Sequence, residues 1–379
     1  MRRSAFFIRV IILGFILHLY IGLRLIPDLP VSTPYRWLAA LLLLLSWLFI
    51  LLAIAARRLE SARLSDRLAW VGLPAMGAFS SLLVLTLLRD ISLLALLVLN
   101  TAASEWRADS AVAVPLFALL LTFAGFINAR RLARVVTIKV PIENLPAALQ
   151  GFTIVQISDI HVGPTIKRRY VDAIVDAVNL LEADMIALTG DLVDGTVERL
   201  AGHTLPFSRL RARHGAYAVT GNHEYLSGVH GWITEFERLG MKILQNEHVV
   251  IAHGDARLVV AGVNDFSAGR FDPAQRSDPA AAIAGAPPEA AIRLLLAHQP
   301  RSAAAASEAG FTLQLSGHTH GGQFFPWNFF VRLQQPFTAG LNRYNNLWVY
   351  TSRGTGYWGP PKRIAAPSEI TRLLLVAAG

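Results

Sequence analysis

Seven side chains able to hold a metal ion, and one further histidine, fall in five short stretches of this 379-residue chain. They are Asp159 and His161 in 158-SDIHVG-163, Asp191 in 190-GDLVDG-195, Asn222 next to His223 in 221-GNHEY-225, His298 in 298-HQP-300, and His318 with His320 in 316-SGHTHGG-322. Three oxygen donors and four imidazoles are too many for one tetrahedral ion and suit two adjacent ones. Two ions about 3.5–4 Å apart polarise a phosphoryl group and generate hydroxide near neutral pH. Residues i and i+2 of extended backbone point the same way, so Asp159 and His161 are expected to reach one ion together. His318 and His320 would share an edge of the cluster and serve one ion each. A carboxylate between two cations suits a bridging role, and Asp191 is the natural candidate. The chain has no cysteine, so the donors are nitrogen and oxygen only, a set that fits Mn, Fe or Zn.

The elements that must position these groups are strands. Apolar, β-branched runs at 152–158, 184–189, 215–220, 292–297 and 311–315 each end where one of the five stretches begins, and further runs lie at 257–263, 347–351 and 370–376. Between them, 167-KRRYVDAIVDAVNLLE-182 places apolar residues at 171, 174, 175 and 178, one face of a helix. Helical stretches also lie at 229–240 and 300–310, and loops are expected at 264–290 and 322–346. The alternation is an α/β pattern. Sites in such sheets form at the carboxyl ends of strands, where glycine lets the backbone turn tightly.

The first third is of another kind. Residues 1–140 hold 15 Lys/Arg against 6 Asp/Glu, whereas 141–379 hold 20 of each, so the whole formal charge of +9 lies in the N-terminal part. A nucleic-acid partner, which would need a basic functional domain, is therefore not expected. Four apolar runs, roughly Phe6–Ile26, Trp37–Ala56, Leu68–Leu88 and Ala111–Ile127, approach or reach the length that crosses a bilayer, about 20 residues. A fifth, 91-ISLLALLVLN-100, is shorter and is read as interfacial or re-entrant. Arginines cluster at 2, 3 and 9, in 57-RRLESARLSDR-67 and in 129-ARRLAR-134, but are sparse in the other two loops. That bias predicts four spans with both ends inside and a cytoplasmic C-terminal part, whereas a crossing by 91–100 would put that part outside. The boundaries are drawn at 1–135 for the transmembrane helices and 140–379 for the domain that carries the five stretches.

In order and spacing, Asp-x-His, Gly-Asp, Gly-Asn-His-Glu, His and Gly-His-x-His resemble the calcineurin-like metallophosphoesterase superfamily over roughly 150–376. The resemblance implies two packed β-sheets flanked by helices, here preceded by an α-helical transmembrane region. It implies a first metal on Asp159, His161, Asp191 and His320, and a second on Asp191, Asn222, His298 and His318. It assigns no metal to His223, which would contact phosphoryl oxygens and protonate or stabilise the leaving group. The stretches 350-YTSRGTGYWGPPKR-363 and 367-PSEITRLLL-375 resemble a subgroup of small, often membrane-linked bacterial phosphoesterases, and with the four apolar runs the expected location is the bacterial inner membrane, as a multi-pass protein.

The expected activity is hydrolysis of phosphodiester or pyrophosphate bonds, with a lipid-linked phosphoester as one candidate substrate. The bilayer is the expected partner, and 324-FFPWNFFVRLQQPF-337, with six aromatics, could either dip into the interface or pack on its own domain. A membrane-tethered protein phosphatase and a non-catalytic metal-binding sensor are the alternatives. Among the remaining polar residues, Glu224 is read as orienting a ligand, with Asp194 and Asp265 as candidates for the same task. Arg353 and Arg363 could meet a substrate phosphate, although an ordinary surface position is the simpler expectation for both. His203, His214, His230, His248 and His253 are read as surface or structural.

Overall fold

The computed structural model describes every residue except Met1, Arg57, Arg58, Asn100, Thr101 and Ala102, and gives the backbone alone for residues 2–7 and 103–105. Arg57 and Arg58, two of the arginines behind the expected orientation, thus lie outside the described residues, as does Asn100 at the end of the fifth apolar run. The chain divides into two compact units, Met1–Arg130 with Gly359–Ile364, and Arg131–Trp358 with Ala365–Gly379.

The first unit is built from α1 (Arg2–Leu25), α2 (Thr33–Ala56), α3 (Ala62–Val98) and α4 (Ala103–Arg130). All four are long and apolar enough to cross a membrane. At 1.5 Å per residue α3 is about 55 Å long, well beyond the ~30 Å of a hydrocarbon core. Residues 91–98, expected from their length to re-enter or lie at the interface, instead continue this helix. The reason lies at Arg89 and Asp90, which mark a polar end in the sequence but find partners inside the helix unit. Arg89 pairs with Asp28 and donates to Ser110 Oγ and to the Arg24 carbonyl, each at 2.9 Å. Asp90 accepts from Tyr20 at 2.6 Å and from Arg24 at 2.7 Å. With their charges paired, the two residues need no break in the helix. The same unit contains 359–364. There Lys362 Nζ donates to the Gly77 carbonyl (2.7 Å) and Ser81 Oγ (2.5 Å), and Arg363 N to the Gly125 carbonyl (2.9 Å). Arg363 is buried rather than on the surface.

The second unit holds twelve strands: β1 (Arg134–Ile142), β2 (Thr153–Ile157), β3 (Met185–Leu188), β4 (Ala216–Ala218), β5 (Lys242–Ile243), β6 (Glu247–His253), β7 (Ala256–Gly262), β8 (Ile292–Leu296), β9 (Leu313–Ser316), β10 (Gly340–Tyr344), β11 (Leu347–Thr351) and β12 (Glu369–Ala377). They form two six-stranded sheets, ordered β1-β12-β2-β3-β4-β5 and β10-β11-β9-β8-β7-β6. The helices are α5 (Arg168–Asn179), α6 (Val197–Thr204), α7 (Asn222–Ser227), α8 (Val229–Arg238), α9 (Pro279–Ile283), α10 (Ala303–Glu308) and α11 (Trp327–Val331). The expected loops at 264–290 and 322–346 are therefore not loops throughout. The first contains α9, and the second contains α11 and β10, the latter zipped antiparallel to β11.

One apolar core lies between the sheets, with Ile154, Met185, Ala187 and Leu373 from one and Leu258, Leu294, Leu296 and Leu313 from the other. Every residue of β2 and β3 is buried, as expected for parallel strands covered on both faces. α5 turns in Val171, Ile174, Val175 and Val178, the stripe its sequence shows. Polar side chains also cross this core, Tyr350 donating to Glu369 Oε1 at 2.8 Å and Gln156 nearer the ligand candidates. Gln156 on β2 donates from Nε2 to Thr189 Oγ1 (2.8 Å) and to the Ser316 carbonyl (2.9 Å). It ties the ends of β2, β3 and β9 together at the edge where the metal-ligand candidates emerge.

Candidate metal centre

β2, β3, β4, β8 and β9 all deliver their carboxyl ends to one place. Asp159 and His161 follow β2, Asp191 follows β3, Asn222 and His223 open α7 after β4, His298 follows β8, and His318 and His320 follow β9. The ring nitrogens of His161 and His320 stand 3.1 Å apart, and His320 Nε2 is 3.5 Å from Asp159 Oδ1. On the other side, His298 Nε2 is 3.2 Å from His318 Nδ1 and 3.2 Å from Asp191 Oδ2. Asp191 Oδ2 is also 3.9 Å from His161 Nε2. The donors thus fall into two sets, Asp159, His161 and His320 against Asp191, His298 and His318, with the Asp191 carboxylate within 4 Å of both.

The local backbone differs from the extended one expected at 159–161. Asp159, His161, Asp191, His318 and His320 all have φ between 51° and 69°, the left-handed region that non-glycine residues rarely enter. Strain of this kind costs of order 1–3 kcal/mol per residue and persists only where the surroundings impose it. Here they do. Asp159 N donates to the Gly190 carbonyl and His161 N to the Asp191 carbonyl (3.0 and 3.1 Å), locking the two loops to each other. Two glycines permit the approach. A Cβ at Gly317 would collide with Asp159 Oδ2 and Ser158 Oγ, and one at Gly221 with Asp191 Oδ1.

Burial and charge act on the donors in different directions: Asp191 holds the His298 imidazole well above its ordinary range against the effect of burial, and burial pushes the Asp159 carboxyl up to about 6. Burial, reinforced by neighbouring imidazoles, lowers the His161 and His318 pKa values to about 3, so both rings are neutral at pH 7 and carry a lone pair. Burial alone would raise Asp191, but His298 and His223 hold its carboxyl well below the usual range. His298 Nδ1 lies 2.7 Å from the Thr189 carbonyl, which can only accept. The proton is therefore on Nδ1, and a neutral His298 has its free lone pair on Nε2, facing Asp191. Asn222 Oδ1 is buried with no hydrogen-bond partner among the described residues, a state that costs free energy unless something else satisfies the oxygen. An oxygen left in this way beside converging imidazoles and carboxylates fits a divalent cation.

His223 forms a third group with Asp194 and His161, whose ring centroid is 4.7 Å from its own. Its Nδ1 is 2.6 Å from Asp194 Oδ1, its Nε2 is 4.0 Å from Asp191 Oδ2, and its main-chain N donates to Asp191 Oδ1 at 2.8 Å. Burial works against its protonation, but Asp191 and the Asp194 hydrogen bond raise it to about 9. Glu224 accepts from the main-chain N–H groups of Gly221, Asp191, Leu192 and Val193 at 2.7–3.3 Å. Burial and the Asp191 charge push its pKa up to about 7, and the N–H groups pull the other way. Asp265 is buried one step back, accepting from Gln299 Nε2 at 3.0 Å, next to His298. Arg353 makes an ion pair with Glu369 at 2.9 Å.

Two contributors have no signal in the sequence. Ser158 Oγ donates to Asp159 Oδ2 at 2.6 Å, and the Trp358 ring lies edge-on to His223 at 5.6 Å between centroids. Only the folded chain brings residue 358 to residue 223. Of the other histidines, His214 and His253 pair at 2.9 Å beside Phe152, away from the metal-ligand candidates.

A profile of the calcineurin-like phosphoesterase family matches residues 152–322. A transmembrane protein with metallophosphoesterase domain from Danio rerio is 37% identical over 74% of this chain and 66% of its own length. The protein of that name from Bos taurus is 40% identical over 68% of this chain and 61% of its own length. An uncharacterized metallophosphoesterase of Campylobacter jejuni is 34% identical over 68% of this chain and 67% of its own length. The chain belongs to the calcineurin-like metallophosphoesterase family. Its four apolar helices are long enough to cross a membrane, in keeping with the transmembrane relatives it matches. This metallophosphoesterase spans 61–67% of the length of these three relatives.

Proposed function

We propose that this metallophosphoesterase uses two divalent ions, of Mn, Fe or Zn, to hydrolyse phosphodiester or pyrophosphate bonds at a membrane, with lipid-linked phosphoesters as its substrates and its catalytic unit in the cytoplasm. The observation that carries the reading is Asp191 between two donor sets, within 4 Å of His161 and of His298. Asp159, His161 and His320 would hold one ion, Asn222, His298 and His318 the other, and Asp191 would bridge them. When bound, the ions supply Lewis acidity toward the phosphoryl group and an acidified water.

The remaining work falls to the chain itself. Asp194, hydrogen-bonded to Nδ1 of His223, fixes that ring and keeps a proton on it, leaving Nε2 to donate to a phosphoryl oxygen or to the departing oxygen. Glu224 holds the 191–193 main chain and so fixes the backbone from which Asp191 projects. Thr189 sets the tautomer of His298. Two features support a lipid substrate, the four membrane-spanning helices and the aromatic stretch that begins four residues after His320.

The test is hydrolysis of bis-p-nitrophenyl phosphate and p-nitrophenyl phosphate by the full chain in nanodiscs, stripped of metal and then given Mn²⁺, Fe²⁺ or Zn²⁺. Metal-dependent diester cleavage that disappears in Asp191→Ala and His223→Ala is the expected result. Tight metal binding with neither ester cleaved would overturn the general diesterase reading.

A further inference from the structure

The aromatic stretch after the metal-ligand histidines is built in two parts. Its roots are sunk into the catalytic unit. Phe324 is buried, Phe337 packs against the core between α10 and the second sheet, and Gln335 is buried, with Nε2 donating to Gln299 Oε1 at 3.2 Å. Its crest is not. Phe325, Trp327, Phe329, Phe330 and Leu333 are 50, 49, 57, 53 and 81% exposed, and no residue of α11 is buried. The two readings left open by the sequence therefore divide between the residues, with the roots packed and the crest presented to the surroundings.

The crest also adjoins the metal centre. Gly322, two residues after His320, lies against Asn328 of α11. Gln323 exchanges two hydrogen bonds of 3.0 Å with the main chain of Trp358, the residue beside His223. Four large exposed aromatics and a leucine on one short segment are costly to leave in water, at roughly 25 cal/mol per Å² of apolar surface, and a patch of this kind marks an interaction site.

We propose that this crest is a bilayer-contacting lip, seated in the headgroup region of a phospholipid membrane beside the catalytic entrance. Three observations select that occupant. Tryptophan and phenylalanine are the side chains favoured at that depth. Residues 324–337 contain no acidic residue and one arginine, Arg332, at the exposed crest, a charge suited to anionic headgroups. The same chain carries four helices able to span a membrane, so a bilayer is always tethered to the lip, at a high effective concentration that no soluble partner is assured. The lip draws amphipathic phosphoesters from the lipid phase into the site, a consequence that rests on the phosphoesterase reading, whereas the contact itself does not.

The test exploits the absence of cysteine. Phe330→Cys, and Leu180→Cys at the exposed end of α5 as reference, are labelled with a nitrobenzoxadiazole dye in the full chain in nanodiscs of phosphatidylcholine and phosphatidylglycerol. The label at 330 is expected to shift to the blue, to be quenched by spin-labelled lipid and to resist aqueous iodide, while the label at 180 remains open to iodide. A label at 330 that iodide reaches, or that is shielded from iodide and from lipid quencher alike by a second copy or another protein, overturns the proposal. Separately, the double variant Phe329→Ser, Phe330→Ser is assayed on soluble bis-p-nitrophenyl phosphate and on hexadecyl p-nitrophenyl phosphate embedded in the nanodisc. A several-fold loss on the embedded diester with the soluble rate unchanged is expected, and equal effects on both would refute the lip's selective role. Should the unaltered chain cleave neither ester, the phosphoesterase reading fails, and the labelling still decides the contact.

Discussion

His223 Nδ1 and an Asp194 carboxylate oxygen stand 2.6 Å apart, and the other nitrogen of the same ring is 4.0 Å from the Asp191 carboxylate. One carboxylate thus fixes the imidazole from behind while its free nitrogen looks toward the metal-ligand candidates. Asp194→Asn should lower kcat about 10–100-fold with little change in KM, the usual cost of losing an orienting partner. His223→Asn should cost more, roughly 10²–10⁴-fold if it acts as a general acid. Comparing leaving groups separates the roles. A proton donor matters most for poor leaving groups, so the His223→Asn deficit should grow from p-nitrophenyl to alkyl diesters, and a constant deficit would count against proton donation.

Asp191 is the carboxylate within reach of both donor sets. Metal content measured by plasma mass spectrometry should approach two ions per chain in the active protein, and Asp191→Asn should lower it together with activity. Chelation should abolish turnover reversibly. Full occupancy in Asp191→Asn would remove the bridging assignment.

Gly317 leaves no room for a side chain between Ser158 and Asp159. Gly317→Ala should displace the Asp159 carboxylate and lose most diesterase activity while the chain still folds. Gly202 has open space in the same respect, so Gly202→Ala should be silent. Similar activities of the two variants would show that the close approach is not needed.

Glu224 satisfies four main-chain N–H groups at once. Glu224→Ala strands them in a buried loop, and with about 1–3 kcal/mol for each buried group left unsatisfied the loss should reach several kcal/mol. Thermal unfolding of the full chain checks it, and a Tm unchanged within error would contradict the clamp.

The His214–His253 pair supplies a pH signature outside the metal centre. Burial, then the neighbouring His253, lowers the His214 pKa below 6.5 in the folded chain. Both states are neutral there above pH 6.5, so no penalty exists. The penalty grows as pH falls from 6.5 toward the lower folded value, because the unfolded chain takes up the proton first. His214→Gln should therefore flatten part of the fall in Tm between about pH 7 and pH 5. An acid limb identical to that of the unaltered chain would refute it.

The chemistry was legible because it sits at the ends of central strands. β2, β3, β8 and β9 are covered on both faces, so they read as continuous apolar runs, and each run stops at an Asp or His, with a glycine just before it at Asp191 and His318. The strands missed in the sequence are β1, β5, β6 and β10, which are the four edges of the two sheets. An edge strand is held by one neighbour and faces water, and 340-GLNRY-344 carries no apolar pattern that could announce it. The left-handed backbone at Asp159, His161, Asp191, His318 and His320 was also invisible, because ordinary propensities disfavour it and only the tertiary hydrogen bonds impose it. Arg89 and Asp90 misled for a related reason. Their partners, Asp28, Tyr20, Arg24 and Ser110, lie 20 or more residues away in sequence.

Residues 359–364 belong to the helix unit although the chain on either side belongs to the catalytic one. The polypeptide is therefore threaded into the helices twice, once through its first 130 residues and once through a six-residue loop carrying Lys362 and Arg363. A cut after residue 130 would break the first of these connections and leave the hydrogen bonds of Lys362 and Arg363 to the helices as the second. Trimming the helices away genetically would leave Lys362 without Gly77 and Ser81, a hydrated cation and a loose hexapeptide directly following Trp358.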